Sequence, residues 1–230
     1  MVKMLDDHVG RIMEELKILG LDEQTLVVFT SDNGHELYYG PKKSFPKKIP
    51  GQGDANLTDK KWRTSECGDV FDGAGGRAGL KRSAYQGGMQ CPLIVRWPGQ
   101  IAAGASTDHL AAHYDFMATL AELLAVPLPA GKDGVSYLPA LLSKPQPQQH
   151  EYIVVNNRFQ RMGRTALITR EGWKLVEVDR DQDQFQLYNL KEDNEERIDL
   201  AKQYPKRVAD LKAALLSELD SARPDLQPYD

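Results

Sequence analysis

The chain has only two cysteines, Cys67 and Cys91, among 230 residues. They are too few for a disulfide scaffold and lack the paired spacing of a zinc site. No stretch reaches the roughly eighteen apolar residues that a membrane helix needs, and Asp6-Asp7 stands where a signal peptide would have its apolar stretch. An excess of positive charge is missing too. The 29 Lys and Arg are outnumbered by 33 Asp and Glu, leaving a formal charge of -4, which argues against nucleic acid as a partner. The basic cluster Pro41-Lys42-Lys43 to Lys47-Lys48 is short and reads as a solvated loop. Internal repeats are absent.

What is present has the balance of a folded protein: 41% hydrophobic and 27% charged residues, enough for one sizeable core or two modest ones. Leu5, Val9, Ile12, Met13, Leu16 and Leu19 recur at helical spacing and predict an amphipathic helix that Gly20 closes. Thr25 to Thr30 is short, apolar and without alternation, as expected of a strand buried on both faces of a parallel sheet. Pro92 to Gly99 reads as a second buried strand ending in a turn. Between them, His35 to about Gly79 is long, polar and rich in Gly, Pro and Lys, the composition of a functional loop. Asp108 to Leu124 predicts a helix with Leu110, Phe116, Met117, Leu120, Leu123 and Leu124 inward. The class is therefore α/β.

Ser143 to Gln149 has a linker's composition, which sets expected domains at 1-145 and 146-230. Beyond it, short strands are expected at Tyr152 to Asn156, Arg164 to Thr169, Trp173 to Val178 and Phe185 to Tyr188. A helix follows from Arg207 to Leu219, giving a small antiparallel sheet with a helix.

Asp32 and Asn33 follow a strand end, the place where open α/β sheets bind ligands. Their oxygens suit a hard cation such as calcium or magnesium, and the same residues with Gly34 equally make an Asx turn. Lys81 and Arg82 follow the run Gly73-Ala74-Gly75-Gly76-Arg77-Ala78-Gly79, where backbone could approach a tetrahedral oxyanion. A solvated surface loop fits that composition as well, and Leu80 breaks the P-loop pattern. His109 and His113 lie one helical turn apart, but the Glu of a zinc-protease helix is absent and Asp108 serves equally as a helix cap. Asp179 to Asp183 lacks the Gly and Glu of a calcium loop and reads as a hairpin turn. Lys191 to Glu196 reads as a solvated acidic turn before a helical segment.

Several longer stretches carry a resemblance. Leu19 to Gly34, ending in Thr30-Ser31-Asp32-Asn33-Gly34, is followed in order by Lys81, by Tyr85-Gln86-Gly87-Gly88-Met89-Gln90-Cys91-Pro92 to Gly99, and by Tyr114 to Leu123. Gly172-Trp173-Lys174-Leu175 and Gln186-Leu187-Tyr188-Asn189-Leu190 complete the series. Together they resemble the type I, arylsulfatase-like sulfatases of the alkaline phosphatase superfamily. The resemblance implies part of an alkaline phosphatase-like mixed sheet sandwiched by helices, followed by a C-terminal subdomain. It implies that Asp32 and Asn33 are ligands of a divalent cation, usually calcium, and that Lys81 contacts the sulfate and the bridging oxygen of the leaving group. His35, next to the motif, is expected to touch substrate.

Gln86 stands where many relatives have Glu, and Gln90 and Cys91 where Arg and Val are common. The C/S-x-P-x-R motif that yields the formylglycine nucleophile does not occur among the 230 residues, nor does the family's Asp-Asp metal pair in a strand context. The chain therefore resembles the C-terminal half of a sulfatase, with the N-terminal half as its implied partner and a broad apolar surface expected where that half would pack. The implied activity is hydrolysis of a sulfuric ester, on a sulfated carbohydrate, in a periplasmic or secreted protein. The alternatives are a phosphomonoesterase or phosphodiesterase of the same superfamily, and a non-catalytic fragment that binds sulfated glycan.

Overall fold

The computed structural model describes residues 2–36, 48–49, 53–54, 63–67, 69–81, 83–156, 165–179 and 182–221. The basic cluster from Pro41 to Lys47, Arg82 and the side chain of Cys67 lie outside the described residues. Two compact units are not colinear with the chain: Met1–Ser31 with Pro92–Gln149, and Asp32–Cys91 with His150–Asp230. The linker at 143–149 and this division partition the chain on different grounds, one by composition and the other by packing.

In the first unit, α1 spans Val2–Ile18. It ends in a Schellman turn, with Gly20 at φ +67°, its amide donating to the Lys17 carbonyl and that of Leu21 to Leu16. The helix lies where its spacing predicts, and its apolar stripe is uncovered. No residue of α1 is buried, and Leu5, Ile12 and Leu19 are each more than half exposed. Periodicity defines an apolar face but not what covers it.

Strand β1 (Val27–Thr30) pairs with β4 (Leu93–Arg96) in antiparallel register, Val27 opposite Arg96 and Thr30 opposite Leu93. This corrects the parallel, doubly buried expectation. An unbroken apolar run carries no information on the direction of its neighbour, and Leu93 and Ile94 of this pair are exposed. Between these strands in sequence, β2 (Lys48–Ile49) and β3 (Gly53–Asp54) form a two-residue ribbon.

Helix α3 (Asp115–Leu123) is shorter than the Asp108 to Leu124 span expected. The fully buried Asp115 carboxylate accepts hydrogen bonds from the amides of Ala112 at 2.7 Å and Val135 at 2.9 Å, closing a turn where the longer helix would have continued. Asp108 is thus no helix cap, and His109 and His113 do not share a helical turn. The buried face of α3 is small, made of Ala118, Thr119 and Ala121 beside Asp115, while Phe116, Met117 and Leu124 are exposed. Helix α4 (Leu138–Leu141) is a single turn.

The second unit is built on a four-stranded antiparallel sheet of β5 (Tyr152–Asn156), β6 (Thr165–Thr169), β7 (Trp173–Asp179) and β8 (Gln184–Asn189), in that order. Helix α5 (Pro205–Ser221) completes the expected C-terminal arrangement. Strand alternation sends neighbouring side chains to opposite faces. Leu167, Leu175 and Leu187 pack with Leu215 of α5, whereas Ala166, Val176 and Tyr188 pack with Ala78, Ala84 and Tyr85. One face of the sheet therefore carries a helix and the other carries Ala78, Ala84 and Tyr85, the last of which leads into the single turn α2 (Gln86–Met89).

A buried ion pair joins the two. Lys174 and Glu196 have fully buried side chains, with Nζ 2.7 Å from Oε1. Lys174 also donates to Gln86 Oε1 at 3.1 Å, and the Gln86 amide donates to Glu196 Oε2 at 2.8 Å. Burial pulls the Lys174 ammonium below its ordinary pKa, and the Glu196 carboxylate opposes that shift. Glu196 thereby departs from the solvated turn expected for 191–196, because meeting a buried ammonium outweighs its hydration. Glu196→Ala would leave that ammonium uncompensated and is expected to destabilise the second unit by about 3–5 kcal/mol. Urea unfolding followed through the sheet checks this, and a loss below about 1 kcal/mol contradicts the account.

The exposed apolar side chains of α1, β4 and α3 generate a second expectation, self-association of the isolated chain. Sedimentation velocity would reveal it as concentration-dependent oligomers, and a monodisperse, cooperatively melting monomer would count against it.

Candidate functional site

The end of β1 is anchored before the chain enters the Asp32 motif. The Thr30 hydroxyl donates to the Pro92 carbonyl at 2.7 Å, and His113 Nε2 lies 2.8 Å from the Ser31 carbonyl. Asp32 is exposed and Asn33 half-buried. Gly34 and His35 then lie against α2 through main-chain hydrogen bonds, the Gly34 amide to Gly88 at 2.9 Å and the His35 amide to Gly87 at 3.1 Å. The His35 carbonyl accepts from the Lys81 amide at 2.8 Å. The backbone thus brings His35 and Lys81 together, with Asp32 and Asn33 immediately upstream on the same segment.

This packing requires residues without side chains. A Cβ on Gly87 would run into the carbonyl oxygens of Ala78 and Gly79, and one on Gly88 into the carbonyl of Leu80. The Gly87 amide itself donates to Ala78 at 2.6 Å. These two glycines let backbone meet backbone. Lys81 owes its position to that contact.

A residue that sequence reasoning missed completes the local geometry. Asp69 Oδ2 lies 3.4 Å from His35 Nε2, and the Asp69 side chain is only 9% exposed. Its carboxylate accepts the Gly73 amide at 2.6 Å and the Phe71 amide at 3.1 Å. The amide of Gly73 above all, with lesser help from Phe71 and the nearby His35, holds its pKa below the usual carboxylate range against the opposing effect of burial. The only local signal was an Asp followed four residues later by Gly, an ordinary turn composition. The free thiol of Cys91 is pushed up in pKa by burial and by the charge of Asp32, the opposite of what a nucleophile needs. Among the described residues, no three His, Cys, Asp or Glu side chains converge as a metal cluster.

Residues 1–126 match the family model described as Sulfatase. The chain belongs to the sulfatase family. Residues 78–225 also match the model described as N-sulphoglucosamine sulphohydrolase, C-terminal. The N-acetylgalactosamine-6-O-sulfatase of Bacteroides thetaiotaomicron is 30% identical over 94% of this chain and 40% of its own length. The human N-acetylgalactosamine-6-sulfatase is 31% identical over 61% of this chain and 22% of its own length. A solved 6S-sulf structure from a Bacteroides thetaiotaomicron locus for metabolism of multiple glycosaminoglycans aligns with a TM-score of 0.67 at 29% identity, covering 93% of this chain and 42% of that one. The chain spans less than half the length of these relatives.

Sulfatases generally use a divalent cation and a formylglycine. The donors at the end of β1 fit such a cation in kind, since a carboxylate and a neighbouring amide are hard oxygen ligands, and they offer two of the six or so that calcium takes. Gly87→Ala is expected to push α2 off the 78–80 backbone and release the Lys81 amide. Hydrogen exchange at Lys81 would then quicken by at least about tenfold, while exchange in β6 and β7 stays slow. Unchanged protection at Lys81 would refute the packing argument.

Proposed function

We propose that this chain forms part of a sulfuric ester hydrolase acting on a sulfated carbohydrate. The observation that carries the reading is the main-chain link between Lys81 and His35, which holds a cationic side chain beside a segment bearing two hard oxygen donors. Membership of the sulfatase family and relatives named for N-acetylgalactosamine 6-sulfate support the substrate class.

In this reading Asp32 and Asn33 hold the divalent cation, and calcium suits their oxygens best. The cation supplies fixed positive charge near the sulfate, and a formylglycine from polypeptide outside these 230 residues supplies the nucleophile. Lys81 directs its ammonium at the ester oxygen that gains negative charge as the S–O bond breaks, and such preorganised charge favours the transition state over the ground state. His35 binds the alcohol portion of the ester. The cost of desolvating Lys81 is small, because its side chain stays partly in contact with water.

The test assembles the chain with a sulfatase N-terminal portion that carries a C/S-x-P-x-R motif and follows sulfate release from N-acetylgalactosamine 6-sulfate. Lys81→Ala is expected to lower kcat by about 10²–10³. Asp32→Asn is expected to raise the calcium concentration needed for half-maximal rate by at least about tenfold. Full activity in Lys81→Ala would end the proposal, and faster turnover of the matching phosphate ester would move the assignment to phosphoryl chemistry.

A further inference from the structure

Among the described residues of 32–91, two neighbouring apolar side chains face water almost completely, Val70 at 87% and Phe71 at 89% exposed. A single exposed apolar residue needs no explanation, but a pair at the tip of a fixed loop does. The loop holding them is fastened from both sides. The Asp69 amide donates to the Thr64 carbonyl at 3.1 Å, the Asp69 carboxylate accepts the amides of Phe71 and Gly73, and the Asp72 amide returns to the Asp69 carbonyl at 3.3 Å. Asp72 sits at φ +45°, a left-handed conformation that disfavours residues with a side chain. The hydroxyl of the fully buried Thr64 donates to its Oδ1 at 2.9 Å. Strain held in place by so many hydrogen bonds points to a loop whose shape is used, and what that shape presents is Val70 and Phe71.

The same loop lies against the candidate site. Gly73 is packed on the His35 imidazole so closely that a Cβ there would come within 2.5 Å of Cε1, and Asp69 Oδ2 lies 3.4 Å from Nε2. The apolar pair therefore stands between two residues that both touch the His35 ring, and the His35 carbonyl accepts the Lys81 amide. Ammonium, oxygen donors and imidazole answer to the charged and polar parts of a sulfated sugar and leave its C–H bonds without a partner. A pyranose is amphipathic, with hydroxyls around its rim and C–H bonds on its faces. Those hydrogens are polarised by the neighbouring oxygens and suit the negative face of an aromatic ring, and ligand sites combine such rings with a few placed polar groups. Two side chains offer about the area of one sugar face. They fall far short of the roughly 800 Å² per side that a stable protein interface takes.

We propose that Phe71, flanked by Val70, is the platform on which the C–H face of the sugar rests while Lys81 faces its sulfate. This rests on the sulfatase reading above and deepens it, adding the surface that distinguishes a sugar ester from bare sulfate. The fastened loop keeps the ring in place before substrate arrives, so little ordering is left to be done on binding.

The test titrates the full chain, in calcium, with N-acetylgalactosamine 6-sulfate and separately with inorganic sulfate. In a chain with ¹³C-labelled phenylalanine rings, the Phe71 resonances are expected to move with the sugar sulfate and to show nuclear Overhauser contacts to its C–H protons, and to stay in place with inorganic sulfate. Phe71→Ala is expected to weaken the sugar sulfate by about tenfold, the loss of one buried aromatic face, while the Kd for inorganic sulfate stays within about twofold. Phe71→Tyr keeps the ring and should restore binding. The exposed side chain leaves Tm unchanged in both variants, so lost binding is not read as lost folding. An equal loss for both anions would make Phe71 a structural residue and overturn the proposal, as would a sugar-sulfate Kd within about twofold of wild type in Phe71→Ala. If that second result came with weaker self-association in sedimentation velocity, the tip would belong to a contact between copies of the chain. Lys81→Ala separates the two readings. If it weakens both anions while Phe71→Ala changes neither, only the platform fails and the sulfatase reading stands. If the wild-type chain binds neither anion, the sulfatase reading fails and the platform with it.

Discussion

The second unit depends on an ammonium and a carboxylate that have left water together. Lys174 and Glu196 bear a desolvation cost of several kcal/mol each, tolerable only because they lie 2.7 Å apart and share Gln86 as a second partner. Gln86 contributes its side-chain oxygen to the ammonium and its main-chain amide to the carboxylate, so α2 is bound to the sheet by both charges at once. Hydrophobic contacts of Ala78, Ala84 and Tyr85 extend the same interface. They could be made at several registers of a loop on a sheet, whereas the ion pair permits one. A Glu in place of Gln86 would bring a second carboxylate to the same ammonium, so the Gln found here keeps the cluster at one charge of each sign.

From that fixed turn the site is reached by main chain alone. Gly87 and Gly88 hold the 34–35 segment, His35 holds Lys81, and the 78–80 carbonyls close the circuit back to the glycines. Side chains are thereby left for chemistry. The burden of holding the loops together falls largely on peptide groups and on residues with little or no side chain. Asp69 follows the same logic one step removed, since two amides clamp it before it faces the imidazole.

The fold was legible where a pattern encodes its own geometry. Alternation located the four C-terminal strands within a residue or two, and the position after Thr30 marked Asp32 and Asn33 as residues at a strand end. The resemblance singled out Lys81, whose loop composition alone suited a solvated surface equally well. What escaped notice depends on residues distant in sequence. Glu196 is one of four acids between Glu192 and Glu196, and nothing local tells which of them meets Lys174. Asp69 is an ordinary turn former until His35, thirty-four positions earlier, lies against it. The stripe of α3 announced an apolar face correctly but implied a cover that the described residues do not supply, and the partner direction of β1 has no signature in a run of apolar residues.

The division of the chain has a consequence for the order in which the protein takes shape during synthesis. Residues 32–91 leave the ribosome well before 150–230, yet the two stretches belong to one compact unit. Until Lys174 and Glu196 have both been made, Gln86 lacks at least one of its charged partners, and Ala78, Ala84 and Tyr85 have no completed sheet to lie on. The nascent loop with Lys81 must wait while everything between Pro92 and Gln149 is translated, its alanines and Tyr85 uncovered. Such long-range closure is slow by nature, so synonymous pausing or chaperone capture within that interval should bear more heavily on the yield of this protein than the same delay after β8.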